Sequence, residues 1–139
     1  MAASFVLSLA ACSAGSDGPK GWQPVAGASQ AWSTGSGADR QEYAVESSPF
    51  AGTLKDLASR VTIDELLHNR GAKLQGSLPL GECPGAAGVA TFTLPSQGTL
   101  REGFAVRGGR AIRARYTRPA GAPVDPAIEP AMQRLLCTL

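Results

Sequence analysis

The sequence predicts an α+β domain: a single antiparallel sheet of five to six strands with helices packed on it. Several short stretches alternate apolar and polar residues, as half-buried strands do, and others carry apolar residues at helical spacing. The connections between the predicted strands are short enough to join antiparallel neighbours. With 43% hydrophobic and 17% charged residues the composition is that of a globular domain, and a net charge of +2 is too small to indicate a nucleic-acid partner.

At the N-terminus, an apolar run ends at Leu9-Ala10-Ala11-Cys12 and opens onto small polar residues. This stretch resembles a bacterial lipobox, in which the cysteine thiol is diacylated and the peptide bond before it is cut. The alternative is a buried N-terminal segment with a free cysteine. A membrane-spanning helix is not expected, because the run is far shorter than the roughly 20 apolar residues that cross a bilayer.

The lipobox resemblance divides the chain into a signal peptide over 1–11, a lipidated Cys12 with a flexible tether over 12–21, and a single globular domain over 22–139. It implies a membrane anchor through the N-terminal lipid, and therefore a location in the cell envelope. Ser13 favours the outer membrane if the organism is Gram-negative, because aspartate commonly stands there in lipoproteins retained at the inner membrane.

Lipidation of Cys12 leaves Cys83 and Cys137 as an even pair outside the reducing cytosol, and we expect a disulfide between them. Closing a loop of about 55 residues would stabilise the fold by about 4 kcal/mol if chain entropy dominates. Two separate buried thiols are the alternative. No metal site is expected, because structural zinc needs four Cys or His ligands and the mature chain has two Cys and one His.

The first predicted strands lie over 30–34 and 41–47, joined by a turn-rich loop. The second of them alternates, with Tyr43 on one face and Glu42 on the other. Trp22 and Trp32 are expected to pack at the edge of the core, and a ligand-stacking platform is the alternative.

A helix is predicted to start at Thr53, a plausible N-cap. Apolar residues at helical spacing follow it, at Leu54, Leu57, Ala58 and Val61. A second apolar set lies in another phase, at Ile63, Leu66 and Leu67. We therefore predict a break at Val61-Thr62, with Thr62 capping a second short helix that Gly71 ends. One kinked helix is the alternative.

His68 is the single histidine, so any histidine-based catalysis must use it. Asp64 lies four residues earlier and could orient it. Catalysis by a serine, histidine and acid also needs a nucleophile on a strained turn, and no Gly-x-Ser-x-Gly pattern occurs. We expect no catalytic residues and no cofactor, and keep a hydrolase using His68 as a minor alternative.

Strands are predicted over 72–80 and 89–94, followed by a hairpin centred on Gly108 and Gly109. A two-residue loop would pair Phe104 with Arg113 and mix arginine with apolar groups on each face. A three-residue loop, Gly108-Gly109-Arg110, pairs Phe104 with Ala114 and makes one face apolar. We predict the three-residue loop.

That register would place four arginines together on the opposite face of the hairpin: Arg101, Arg107, Arg113 and Arg115. The stretch from Thr99 to Pro119 contains six arginines and one acid, Glu102. Such a face could bind an anionic lipid or glycan, or an acidic partner, because guanidinium groups bind oxyanions with two hydrogen bonds. The alternative is the solvated side of a two-layer sheet.

The last predicted element is a helix with one apolar stripe, at Ile128, Met132, Leu135 and Leu136. Asp125 or Glu129 is expected to cap it. Cys137 would end the helix beside Cys83, so that the disulfide joins the helix to the sheet.

The order of elements, the residues Phe50-x-x-Thr53-Leu54-x-x-Leu57-Ala58 and the Arg-Gly-Gly-Arg hairpin before Tyr116 resemble small bacterial lipoproteins with a PsbP-like fold. The resemblance covers 41–139 and implies binding or assembly, with no catalytic motif to carry over. We therefore expect a non-enzymatic envelope lipoprotein that acts as a binding or accessory module, with an envelope protein or an anionic ligand as partner.

Overall fold

Seven strands form one antiparallel sheet, and two helices pack on it, in a computed structural model that describes residues 18–28, 30–81, 83 and 85–137. The predicted α+β class is confirmed. The predictions for the lipobox, Cys12 and residues 1–17 lie outside the described residues. The strands are β1 Gln23–Pro24, β2 Ala31–Thr34, β3 Gln41–Pro49, β4 Lys73–Pro79, β5 Ala87–Thr93, β6 Thr99–Arg107 and β7 Arg110–Arg118. The helices are α1 Leu54–His68 and α2 Ile128–Cys137.

The strand order is β1-β2-β3-β7-β6-β5-β4, so the long hairpin of β6 and β7 lies at the centre of the sheet. The sheet has more strands than the five to six predicted. The added strand, β1, is two residues long and pairs with β2. Two residues are too few to show any alternation, which is why the sequence pattern does not reveal it.

The helices cover opposite faces of the sheet, whereas the predicted hairpin register makes only one face apolar. Adjacent residues of β6 show this, because Phe104 packs in a cluster with Leu57 of α1 and Ala105 packs in a cluster with Met132 of α2. Successive side chains of a strand point to opposite faces. The central strands are therefore buried on both sides, and the domain has three layers with a core on each side of the sheet.

The hairpin between β6 and β7 closes with a two-residue loop, so the predicted three-residue loop is wrong. Arg107 pairs with Arg110, and Phe104 pairs with Arg113. Gly108 and Gly109 both adopt positive φ, at 58° and 75°, as the tight hairpin turn requires. The three-residue loop would give one purely apolar face, but a sheet covered by helices on both faces does not need one.

Helix α1 is continuous, so the predicted break at Val61-Thr62 is also wrong. Thr62 does not cap a helix: its hydroxyl donates to the Ala58 carbonyl oxygen at 3.0 Å, inside the helix. The second apolar set lies on the solvent side, where Ile63 is 55% exposed and Leu67 is 73% exposed. The buried side of the last turns is continued by Glu65, which is 3% exposed.

The predicted cap at the start of α1 is confirmed. The Thr53 hydroxyl accepts from the backbone N–H of Asp56 at 3.1 Å, and the Asp56 carboxylate accepts from the backbone N–H of Thr53 at 2.9 Å. This reciprocal capping box satisfies two N–H groups that lack partners within the helix.

Helix α2 is joined to the turn after β4 by a disulfide between Cys83 and Cys137, the pairing that the sequence predicted, with 5.6 Å between the two Cα atoms. The predicted apolar stripe of α2 is buried at Ile128, Met132 and Leu136. Within the described part of the chain, neither helix has the length and apolarity needed to cross a membrane.

Both tryptophans pack against the core beside α2, as expected. Trp22 is edge-on to Tyr116, with ring centroids 6.0 Å apart, and its indole N–H donates to Asp125 at 3.2 Å. Gly18 lies within the predicted tether, yet a Cβ there would lie 2.5 Å from the Trp32 ring. The described chain is therefore already packed on the domain at Gly18.

Candidate functional site

A groove of about 470 Å³ lies where α1 leaves part of the sheet uncovered. Helix α1 packs on β4, β5 and β6, so its open flank faces β7 and β3. Both strands and the C-terminal half of α1 contribute charged or polar residues to the groove: Glu46, Asp64, Glu65, His68, Arg113 and Arg115. We name this feature the α1 groove.

Arg113 lies at the centre of the charged residues around the α1 groove, and its side chain is 11% exposed. Its Nε donates to Glu102 at 2.5 Å, and one terminal nitrogen donates to Asp64 at 2.8 Å. Carboxylate oxygens of Glu65 and Glu46 lie further away, at 3.6 and 3.8 Å from its nitrogens. One guanidinium group therefore contacts carboxylates from α1, β3 and β6.

Arg115 forms a two-pronged ion pair with Glu65. Its Nε and a terminal nitrogen donate to the two carboxylate oxygens, at 2.6 and 2.9 Å. The side-chain amide of Asn69 also donates to Glu65, at 3.0 Å. Since Glu65 belongs to α1 and Arg115 to β7, this pair fixes the last turns of the helix over the sheet.

Glu102 is fully buried between the two arginines. Burial and, to a lesser extent, hydrogen bonding to Glu65 raise the pKa of its carboxyl group to about 8, against the opposing effect of Arg113. One of its oxygens, Oε1, has no hydrogen-bond partner within the described structure. A proton on Glu102 at neutral pH would make that group a donor toward Glu65.

Glu65 is the ionised member of the two carboxyl groups. Burial favours a higher pKa, but hydrogen bonds from Glu102 and Arg115 and the charges of both arginines hold the pKa of Glu65 below its ordinary value. The pKa values of these two neighbouring carboxyl groups thus shift in opposite directions, because burial dominates at Glu102 while hydrogen bonds and the charges of both arginines outweigh burial at Glu65.

The four predicted arginines do not share a face, which is a correction that follows from the two-residue loop. Arg101 contacts the other side of the sheet, where it donates to Glu129 of α2 at 2.9 Å. Arg107 also reaches α2 and donates to the Leu135 carbonyl oxygen at 2.7 Å. Only Arg113 and Arg115 line the α1 groove. Anion binding by these residues remains a prediction. The four arginines do not form the single surface on which that prediction rests.

His68 lies exposed at the end of α1, on the wall of the α1 groove. Its Nδ1 is 2.7 Å from the backbone carbonyl oxygen of Asp64. The carboxylate of Asp64, which the sequence suggested as an orienting group, is bound to Arg113 instead. The described residues that line the α1 groove include no serine, threonine or cysteine to act as a nucleophile.

Sequence reasoning did not identify Glu65 and Glu102 as site residues. A signal was present for Glu65, because it continues the phase of Leu57 and Val61 on the buried side of α1. For Glu102 the signal was its position as the one acid among six arginines.

Within the described ranges, no three side chains of the types that bind metals are grouped to hold an ion.

No protein-family model matches the chain. No curated protein matches it in sequence. A solved structure that it resembles is the solution structure of cyanobacterial PsbP (CyanoP) from Synechocystis sp. PCC 6803, with 16% identity and a TM-score of 0.47. The match covers 75% of this chain and 72% of that one.

Proposed function

We propose that the protein is a lipid-anchored domain of the cell envelope that acts as a non-enzymatic binding or accessory module. The observation that carries this proposal is the disulfide between Cys83 and Cys137. Disulfides persist in oxidising compartments and are rare in the cytosol. A compartment outside the cytosol is also what the lipobox-like residues Leu9-Ala10-Ala11-Cys12 would provide.

The contacts around the α1 groove favour binding over catalysis. Arg113 and Arg115 are held in ion pairs, and the exposed His68 has no hydroxyl or thiol beside it among the described lining residues. Fixed charges on a rigid wall suit recognition of a ligand. Loss of a hydrolytic activity on His68→Ala substitution would contradict this part of the proposal.

The test of the anchor is the intact mass of the protein purified from its native membranes, with and without reductant and alkylating agent. We expect a chain that starts at an acylated Cys12, with Cys83 and Cys137 alkylated only after reduction. The matched control is Cys12→Ala, which should lose the acyl mass and leave the membrane fraction while keeping the disulfide. An unprocessed chain with three thiols that react without reduction would overturn the proposal.

A further inference from the structure

We propose that the α1 groove binds a small organic cation, a molecule that carries a primary ammonium group. The inference rests on the proposed binding role but not on the lipid anchor. It assigns a ligand class opposite in charge to the anion that the arginine content of the sequence suggested.

The charge balance of the α1 groove favours a cation. Two guanidinium groups, on Arg113 and Arg115, face three carboxyl groups that line the groove, on Glu46, Asp64 and Glu65. The two guanidinium groups already donate hydrogen bonds of 2.5 to 2.9 Å to carboxyl groups. An incoming anion would compete with those carboxyl groups for the arginines and would meet the net negative charge of the groove, whereas a cation would be attracted by that charge.

The carboxylates at the mouth of the α1 groove are the ones that can accept further hydrogen bonds. Glu46 has a side chain that is 63% exposed, and its oxygen lies 3.8 Å from Arg113, beyond hydrogen-bond distance. Asp64 is 33% exposed and uses Oδ2 for Arg113. Both carboxylates approach the guanidinium group of Arg113, so they lie in the same part of the groove.

The C-terminal end of α1 adds to this preference. His68 is the last residue of the helix and lies on the wall of the groove. The end of a helix carries partial negative charge from its unpaired carbonyl groups, which stabilises nearby cations. The negative end of the helix and the exposed carboxylates therefore both favour binding of a cation.

The shape of the α1 groove suits a small organic molecule. Its volume of about 470 Å³ lies within the range of small-molecule sites. Ala44 lines it and gives an alkyl chain an apolar contact. A metal ion is a poorer fit, because no three metal-binding side chains come together among the described residues.

The experiment is isothermal titration calorimetry of the purified protein in detergent micelles with putrescine, a four-carbon diamine, as the probe. We expect saturable binding with a Kd below about 10 mM that weakens as salt is added, since the contacts are exposed charges. Glu46→Gln and Asp64→Asn should each weaken binding about two- to five-fold, the range expected for an exposed ion pair. Glu42→Gln is the matched control on the same strand, because Glu42 lies outside the groove and pairs with Arg40; it should leave the Kd unchanged.

Glutarate, a dicarboxylate of similar length, tests whether the groove prefers an anion to a cation. Tighter binding of glutarate than of putrescine would overturn the inference in favour of an anion site at Arg113 and Arg115. Absence of saturable putrescine binding, or an unchanged Kd in the Glu46→Gln/Asp64→Asn double variant with its melting temperature retained, would also overturn it. None of these results bears on acylation of Cys12, so failure of the ligand assignment and failure of the anchor are distinguishable.

Discussion

At the scale of single residues, a carboxyl group buried in the middle of the sheet is the feature with the largest electrostatic consequence. Glu102 stands opposite Arg115 across β6 and β7 and accepts a hydrogen bond from Arg113. Burial of a charge is costly, and burial together with the neighbouring Glu65 raises the pKa of Glu102 in spite of its hydrogen bond with Arg113. Protonation of this one group is therefore linked to folding.

We predict that Glu102→Gln flattens the pH dependence of stability between about pH 5 and pH 8. The pKa of Glu102 is raised to about 8 in the folded state, so above the ordinary carboxyl range the folded protein keeps a proton that the unfolded chain has lost. The free energy of unfolding should consequently fall as the pH rises through this window in the native protein. Glutamine retains a neutral donor and cannot titrate, so the variant should lose this fall.

Urea unfolding at a series of pH values measures this effect. Glu42→Gln serves as the control, because Glu42 is an exposed member of a surface ion pair with Arg40 and should leave the slope as it is. Glu65, whose pKa is lowered, contributes in the opposite direction, with stability lost below the ordinary carboxyl range, so the two titrations separate on the pH axis. A slope in Glu102→Gln equal to that of the native protein would show that Glu102 ionises normally.

At the scale of elements, α1 shows how tertiary contacts override an apolar pattern. Leu57 and Val61 bury one side of the helix, and the same side continues with Glu65, which binds Arg115. The pattern appears interrupted because a charged residue occupies a buried position. Its partner lies 50 residues further along the chain.

We predict that Thr53→Ala destabilises the protein by about 1 kcal/mol, because it removes the side-chain half of the capping box. Thr62→Ala is the matched control: its hydroxyl bonds a carbonyl within the helix, so its loss should change stability by no more than about 0.5 kcal/mol. Chemical unfolding of both variants measures the difference. An equal loss of stability in Thr62→Ala and Thr53→Ala would contradict the prediction that only Thr53 acts as a cap.

At the scale of the whole molecule, the disulfide between Cys83 and Cys137 joins two layers of the domain, the sheet and helix α2. Helix α2 contacts the sheet through Met132 and Leu136 in the core and through ion pairing of Glu129 with Arg101. The disulfide then holds its last residue, Cys137, against the turn that follows the edge strand β4. The sheet and α2 are thus linked at both ends of the helix.

We predict that the Cys83→Ala/Cys137→Ala double variant is destabilised by about 4 kcal/mol, because the bond closes a long loop in the unfolded chain. The two cysteines are 54 residues apart in sequence. The measurement is the free energy of unfolding with and without reductant. Cys12→Ala should match the native protein, and equal stability of the double variant would mean that the bond adds nothing to the fold.

The sequence by itself determined the local elements. Alternation over the strands, the capping residue Thr53 and the stripe at Ile128, Met132 and Leu136 all act between near neighbours in the chain, so they predict strands and helices where the structure has them. The pairing of Cys83 with Cys137 followed from counting cysteines, which needs no knowledge of the fold.

The tertiary structure alone decided which faces are covered and where the arginines lie. Whether Phe104 faces Arg113 or Ala114 depends on a helix packing on each side of the sheet, and that packing is a contact between distant segments. The α1 groove likewise exists only because Glu65 and Asp64 of the helix meet Arg113 and Arg115 of β7. Arg113 and Arg115 look like part of an excess of arginine in the sequence, although the folded domain pairs both with carboxylates, because ion pairs between distant residues leave no periodic pattern in the sequence.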